Sequence, residues 1–231
     1  MDKRGWRKDR NNFLIKGVAF DFNGVIVDDE RLHFESMRKT CEPYGVELTE
    51  KKYWEKYLAL DDENAFREII SDNRDKLRES DLRSLIAKKI SGYMELLNEG
   101  ASALFFPKAV EVIKKLSETF RLGIVSGARR IEIEKMLALG EIEDLFEFII
   151  SAGETKRGKP YPDQYEKAVE LFRLKPSEVA AVEDSIGGIQ AAKATGLFAI
   201  AVEHSYDKSY LKKADRVISS ISDLTVETIN G

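Results

Sequence analysis

Six short apolar runs, rich in β-branched residues, recur at wide spacing along the chain: LIKGVAF (14–20), LGIVSG (122–127), FEFIIS (146–151), VAAVED (179–184), FAIAVE (198–203) and ADRVI (214–218). Each is apolar almost throughout, not alternating, which predicts strands covered on both faces. Between the later runs the apolar spacing changes to three and four. Val110, Ile113, Lys114 and Leu116 form one helical face after Pro107, and Ile133, Met136, Leu137 and Leu139 form another that Gly140 stops. Tyr165, Ala168, Val169 and Phe172 predict a third helix, and 189–194, closed by Gly196, a fourth. Strands alternating with helices predict a doubly wound, Rossmann-like α/β core around a parallel sheet.

The alternation fails between Glu30 and Ala103. There the sequence is amphipathic and highly charged, as in TEKKYWEKYLAL and ESDLRSLIAKKISGYMELLNEG, with no convincing strand. Such a stretch directly after the first strand reads as an inserted all-helical cap domain, with GVEL a connection between two of its helices. The expected division is a flexible basic tail over 1–12, an α/β core from 13–29 and 104–231, and a helical cap over 30–103. In open α/β sheets ligands bind at the carboxyl ends of strands, so the cap is expected to act as a lid.

Composition narrows the classes. The 231 residues suffice for a sizeable core. One cysteine, Cys41, excludes an internal disulfide and a cysteine-based zinc cluster. No apolar stretch reaches the roughly 20 residues of a membrane span, and the N-terminus carries no hydrophobic signal core; a cytoplasmic protein without membrane contact is expected. A net charge of −4 with 34% charged residues leaves no global attraction for nucleic acid. Lys3, Arg4, Arg7, Lys8 and Arg10 around Trp6 could touch phosphates, or form only a solvated tail.

Four polar points follow four of the predicted strands: Asp21 with Asn23 and Gly24, Ser126 with Gly127, Lys159, and Glu183-Asp184-Ser185. If those strands are neighbours, the points meet at one edge of the sheet. They would then combine a carboxylate nucleophile, a hydroxyl and backbone N–H groups for phosphate oxygens, a lysine to offset charge, and carboxylates for a hard cation. Magnesium takes such oxygen ligands, with one or two carboxylates plus waters and substrate phosphate. Read singly, each has a plain alternative. Asp21 could be a turn acid, Ser126 and Gly127 a simple turn, Lys159 a surface lysine, and Glu183-Asp184 a helix cap. His33 could approach the site or only pack between core and cap. His204 and Cys41 have no partners at informative spacing and read as structural or surface residues.

Taken in order, these motifs resemble the haloacid dehalogenase superfamily hydrolases with a helical cap after the first strand, close to β-phosphoglucomutase-like and phosphoglycolate-phosphatase-like members. DFNGVIVDDERLH, IVSGA, GKPYPDQY and VEDSIGGIQAAKATG correspond to the four family motifs, from about Ile15 to the chain end. The resemblance implies that Asp21 is the nucleophile and a magnesium ligand, that Ser126 and Gly127 bind the transferring phosphoryl group, and that Lys159 holds phosphate and nucleophile together. Asp184, aided by Glu183, would complete the metal site. At position 23 the family uses a backbone carbonyl for the metal and a side-chain carboxyl as general acid/base; Asn23 keeps the first role and loses the second.

The implied activity is magnesium-dependent hydrolysis of a small phosphorylated metabolite, a phosphate monoester, through an aspartyl-phosphate. A sugar-phosphate mutase is the alternative. Against it stand the missing acid at 23 and Asp61 and Asp62, two carboxylates where mutases, by resemblance, grip a second phosphate with a cation. Asn23 also leaves open a catalytically weakened, phosphate-binding protein, or a deliberate change that traps a complex.

Overall fold

The computed structural model describes residues 15–58, 60–100 and 104–230, with the side chains of 99 and 100 left aside. The basic tail expected over 1–12 lies outside the described residues. Two compact units result: one formed by residues up to Asp28 together with Phe105–Gly231, the other by Asp29–Leu104.

In the first unit, β1 (Gly17–Phe20), β2 (Arg121–Val125), β3 (Phe146–Ile150), β4 (Val179–Glu183), β5 (Phe198–Val202) and β6 (Arg216–Ile218) form one six-stranded sheet. The order is β3-β2-β1-β4-β5-β6, and every pairing is parallel. The apolar runs form these strands because both faces are covered: β1 and β4 are buried at every residue. Four helices lie between strands: α5 (Ala109–Ser117), α6 (Arg130–Gly140), α7 (Asp163–Phe172) and α8 (Ile186–Thr195). Tyr165, Ala168 and Phe172 of α7 and Ile189, Ala191 and Ala192 of α8 join Ala19, Ala181, Ala199 and Ala201 in one core. The small alanines on the strands allow those helices to sit close. Gly196 ends α8 with φ +83°, where a Cβ would be strained. Gly140 is the last residue of α6 and not its stop; Glu141 takes the left-handed conformation at φ 51°.

Chain order reverses beside β1. From β1 the chain proceeds outward through β2 to β3, then crosses back to pair β4 with the other edge of β1. The carboxyl ends of β1 and β4 therefore border the crevice where ligands of doubly wound sheets bind. Phe20 is in register with Ile124 and Val182, which sets Asp21 level with Val125 and Glu183.

The second unit is helical throughout its described residues. Its main helices are α1 (Glu30–Cys41), α3 (Asp62–Asp72) and α4 (Leu82–Gly100), with α1 and α3 both packed on α4. Phe34, Met37, Cys41, Phe66, Ile69 and Leu85 form a separate core. Gly45, at φ +67°, turns the chain between helices as GVEL suggests. The TEKKYWEKYLAL segment departs from a regular helix. After a single turn, α2 (Glu50–Lys52), it widens into a π-helical turn over Tyr53–Tyr57, in which the Leu58 N–H donates to the Tyr53 carbonyl. The two tyrosines are tethered to different helices, Tyr53 to Glu30 of α1 and Tyr57 to Asp72 of α3, and the wider turn serves both. A last short helix, α9 (Val226–Asn230), belongs to the first unit.

Ile124, fully buried in β2, and Ile131, 57% exposed at the start of α6, bracket the sheet's demand for packing. Ile124→Ala is expected to lower stability by about 2–5 kcal/mol. Ile131→Ala should change it by no more than about 0.5 kcal/mol. Denaturant unfolding of both variants checks this, and equal effects would contradict the assigned burial.

Candidate active site

The carboxyl ends of β1, β2 and β4 bring together Asp21, Ser126, Glu183 and Asp184. Asp21 follows the last residue of β1, its N–H donating to the Val182 carbonyl at 2.9 Å, so the strand pairing continues up to the carboxylate itself. Its Oδ1 accepts from the Phe22 N–H at 2.7 Å. Ser126 is seated in the same way on β3, through the Ile150 carbonyl at 2.9 Å. Its Oγ accepts from the Ala128 N–H at 3.1 Å, and Gln164 Nε2 donates to its carbonyl at 2.9 Å. Nothing lies within 4 Å of where a Gly127 Cβ would stand, so the backbone there faces open space. Helix α6 starts four residues after Ser126; a helix N-terminus favours an anion in front of it.

Lys159, in the loop after β3, extends its buried ammonium into this group. Nζ lies 3.1 Å from Asp21 Oδ1 and 2.5 Å from Glu183 Oε1, and donates to the Val125 carbonyl at 2.8 Å. Glu183 is wholly enclosed. Its Oε1 also accepts from the Tyr165 hydroxyl at 2.7 Å and its Oε2 from the Ser185 hydroxyl at 3.1 Å. Gly188 of α8 passes so near that a Cβ there would stand 2.0 Å from the Glu183 carboxylate, and only glycine fits. The cap of α8 is Ser185, accepting from the Gly188 N–H, and not either acid.

Ligand atoms of Asp21, Glu183 and Asp184 lie within 4.8 Å of one another, all three residues buried. Three carboxylates against one ammonium leave an excess of two negative charges. Burial, reinforced by Glu183, pushes the Asp21 pKa up to about 7. Burial, then Asp21 and Glu183, drives the Asp184 pKa well above the carboxylate range. Burial alone would lower the Lys159 pKa, but Asp21 and Glu183 outweigh it and the net shift is upward. A divalent cation would cancel the excess and restore both carboxylates to the charged form. The donor set, all carboxylate oxygen, suits a hard cation.

The remaining candidates differ in their distance from this group. Asn23 lies in the turn after Asp21, its backbone bridged to Val27. His33 belongs to a buried polar network of the helical unit: Nδ1 stands 2.7 Å from the Lys89 ammonium and Nε2 3.3 Å from Asp29 Oδ2, with the Tyr93 ring stacked at 4.5 Å. Asp62 also pairs with Lys89, at 2.8 Å, and Asp61 caps α3 by accepting from the Asn64 N–H. Both acids of that loop are thus engaged within the unit. Cys41 is buried in the helical core, as a structural residue would be. His204 has a contact that its spacing conceals: Nδ1 lies 2.8 Å from the Gly24 carbonyl, 180 residues earlier. Tyr165 closes the GKPYPDQY motif, but its hydrogen bond to Glu183 is not readable there, and Ser205, which donates to Asp184, lies outside the motifs; each meets a carboxylate that only the fold brings near.

Known proteins supply an independent comparison. The sequence pattern described as haloacid dehalogenase-like hydrolase matches residues 18–202. The chain is 26% identical over 219 residues to the β-phosphoglucomutase of Bacillus subtilis, covering 94% of each chain. It is 28% identical over 185 residues to a phosphorylated carbohydrates phosphatase of Thermotoga maritima, covering 79% of this chain and 82% of that one. Among solved structures, β-phosphoglucomutase from Clostridium difficile superposes with a TM-score of 0.80 at 24% identity, over 93% of this chain and 95% of the other, which bears on the fold. The doubly wound core with its inserted helical domain and the matched pattern agree: the chain belongs to the haloacid dehalogenase-like hydrolases.

Proposed function

We propose that the protein is a magnesium-dependent phosphatase that hydrolyses a small phosphate monoester through a phosphorylated Asp21. The observation that carries this reading is the buried group of Asp21, Glu183 and Asp184 around the Lys159 ammonium, beside Ser126 at the crevice of the sheet. Support comes from relatives named as phosphatases, among them one for phosphorylated carbohydrates and one for validoxylamine A 7'-phosphate. Asp21, the Asn23 carbonyl and Asp184 would hold the magnesium ion, with Glu183 beside them. Bound there, the ion would neutralise charge on the phosphoryl oxygens and on the two carboxylates.

The chain's own residues then divide the work. An Asp21 oxygen attacks phosphorus while the bond from phosphorus to the leaving oxygen breaks, producing an acyl phosphate and an alkoxide or phenoxide. Lys159, already beside Asp21, neutralises charge on the phosphoryl group. The Ser126 hydroxyl and the N–H groups around Gly127 bind the other phosphoryl oxygens and hold phosphorus in line with the carboxylate. Water attacks the acyl phosphate in the second step, releasing phosphate and regenerating Asp21. An Asn23 amide can donate a hydrogen bond but has no acidic proton, so the leaving oxygen departs without a proton from this side chain. That separates the reading from a mutase, which must move protons to and from sugar hydroxyls in both directions.

Asp21→Asn should abolish turnover of an aryl phosphate while the melting curve stays native, and Lys159→Ala should remove most of it. Activity should vanish on chelation and return with magnesium. Steady-state assays with p-nitrophenyl phosphate check all three; full activity in Asp21→Asn, or indifference to chelation, would exclude the mechanism.

The parent protein should favour phosphates with acidic leaving groups, since these depart without a proton donor. Asn23→Asp should raise the rate for alkyl phosphates by about 10²–10⁴-fold, the usual contribution of a general acid, with little gain for aryl phosphates. The measurement is log rate against leaving-group pKa at saturating magnesium. A shallower slope in the variant is expected, and parallel lines would deny position 23 any role in proton transfer.

A further inference from the structure

The turn after β5 touches the metal-binding group at two points that belong to different strands. Ser205, at its solvent-facing rim, donates from Oγ to Oδ2 of Asp184, the carboxylate after β4. Its neighbour His204 reaches the turn after β1, with Nδ1 2.8 Å from the Gly24 carbonyl. A carbonyl only accepts, so Nδ1 carries the proton and donates. The imidazole is held flat against Phe106, ring centroids 3.8 Å apart and planes 18° from parallel, which leaves it one orientation.

These two contacts converge. Gly24 has φ +73°, and a Cβ on it would stand 2.0 Å from Asp184 Oδ2 and 3.0 Å from Ser205 Oγ. The Gly24 backbone therefore rests directly on the Asp184 carboxylate, with the Ser205 hydroxyl beside both. Gly24 is fastened on each side: its N–H donates to the Val27 carbonyl at 2.8 Å, and its carbonyl accepts from His204. Because the peptide is planar and trans, fixing the Gly24 N–H also fixes the Asn23 carbonyl, which points the opposite way. The β5 turn is itself anchored to β6. The Glu203 N–H donates to the Ile218 carbonyl at 3.0 Å, and the Glu203 carboxylate accepts from the Lys208 N–H at 3.0 Å.

We infer that His204 and Ser205 form a positioning clamp for the cation site: Ser205 orients the Asp184 carboxylate, and His204, through the Gly24 carbonyl, holds Gly24, the residue after Asn23, against it. The clamp rests on the phosphatase reading, since its purpose is to present Asp184 and the Asn23 carbonyl to the same ion. Both act through Asp184 and Gly24, as positioning residues. Groups that orient metal ligands in this way typically contribute about 10–100-fold to metal affinity or activity.

The test is calorimetric titration of the full-length protein with magnesium alone, followed by turnover of p-nitrophenyl phosphate across a magnesium series. Ser205→Ala removes the hydroxyl donor. His204→Phe keeps the stack on Phe106 but removes the ring N–H. Each should weaken magnesium binding by about 10-fold or more, and the deficit in turnover should shrink as magnesium is raised. Ser205→Thr and His204→Asn, which restore a donor, should recover most of the affinity. If His204→Phe fails to fold, the Ser205→Ala and Ser205→Thr pair carries the test. Magnesium affinity equal to the parent's in folded Ser205→Ala overturns the inference and leaves the phosphatase reading intact. A parent protein that takes up no magnesium overturns both.

Discussion

Three carboxylates buried beside a single ammonium form the constraint on which the core unit is organised. Like charges out of water repel strongly, and an uncompensated buried charge costs several kcal/mol. Here Asp21, Glu183 and Asp184 are all buried, and Lys159 spans two of them. Holding that arrangement takes contributions from most of the core. Tyr165 of α7 and Ser185 ahead of α8 satisfy Glu183, Gly188 gives it room, and the turn after β5 secures Asp184. The sheet supplies the frame, because the reversal of strand order puts the ends of β1 and β4 side by side.

Within that frame the acids are not equivalent. Glu183 has both oxygens occupied by side-chain donors, one of them shared between Lys159 and Tyr165. Its clearest structural service is to fix the lysine. Asp21 and Asp184 keep more freedom for a ligand, and it is their pKa values that burial, with repulsion from Glu183 and, for Asp184, from Asp21, raises. In the proposed reaction the same asymmetry separates charge neutralisation from proton transfer: the lysine and cation handle the phosphoryl group, while Asn23 leaves the departing oxygen to its own basicity.

The helical unit solves a comparable problem differently. Lys89 is almost fully enclosed, and its charge is balanced inside the unit by Asp62, with His33 as a further partner. His33 in turn faces Asp29, which also accepts from the Tyr93 hydroxyl at 2.5 Å. Satisfying buried charges mutually in this manner gives the unit a defined interior alongside its apolar core of Phe34, Met37, Phe66 and Leu85.

Much of this protein was legible from its residues alone. The apolar runs identified the six strands, because the central strands β1 and β4 meet a packed layer at every residue and the outer ones at part of their length, and the change of spacing from continuous to helical marked α5 to α8. The polar residues following four of those runs identified Asp21, Ser126, Lys159 and Asp184, since side chains at strand ends are free of the core's demand for apolar atoms. The tertiary structure alone decided what those residues do to one another. Strand order is set by packing across the whole sheet, so no local pattern could disclose that β1 separates β2 from β4. The same holds for His204 and Gly24, 180 positions apart, and for Ser205 and Asp184, 21 apart. A lone histidine or serine carries no periodicity, and its partner is chosen by where the fold returns the chain. Sequence spacing records the period of an element, whereas a contact between elements depends on their arrangement in three dimensions.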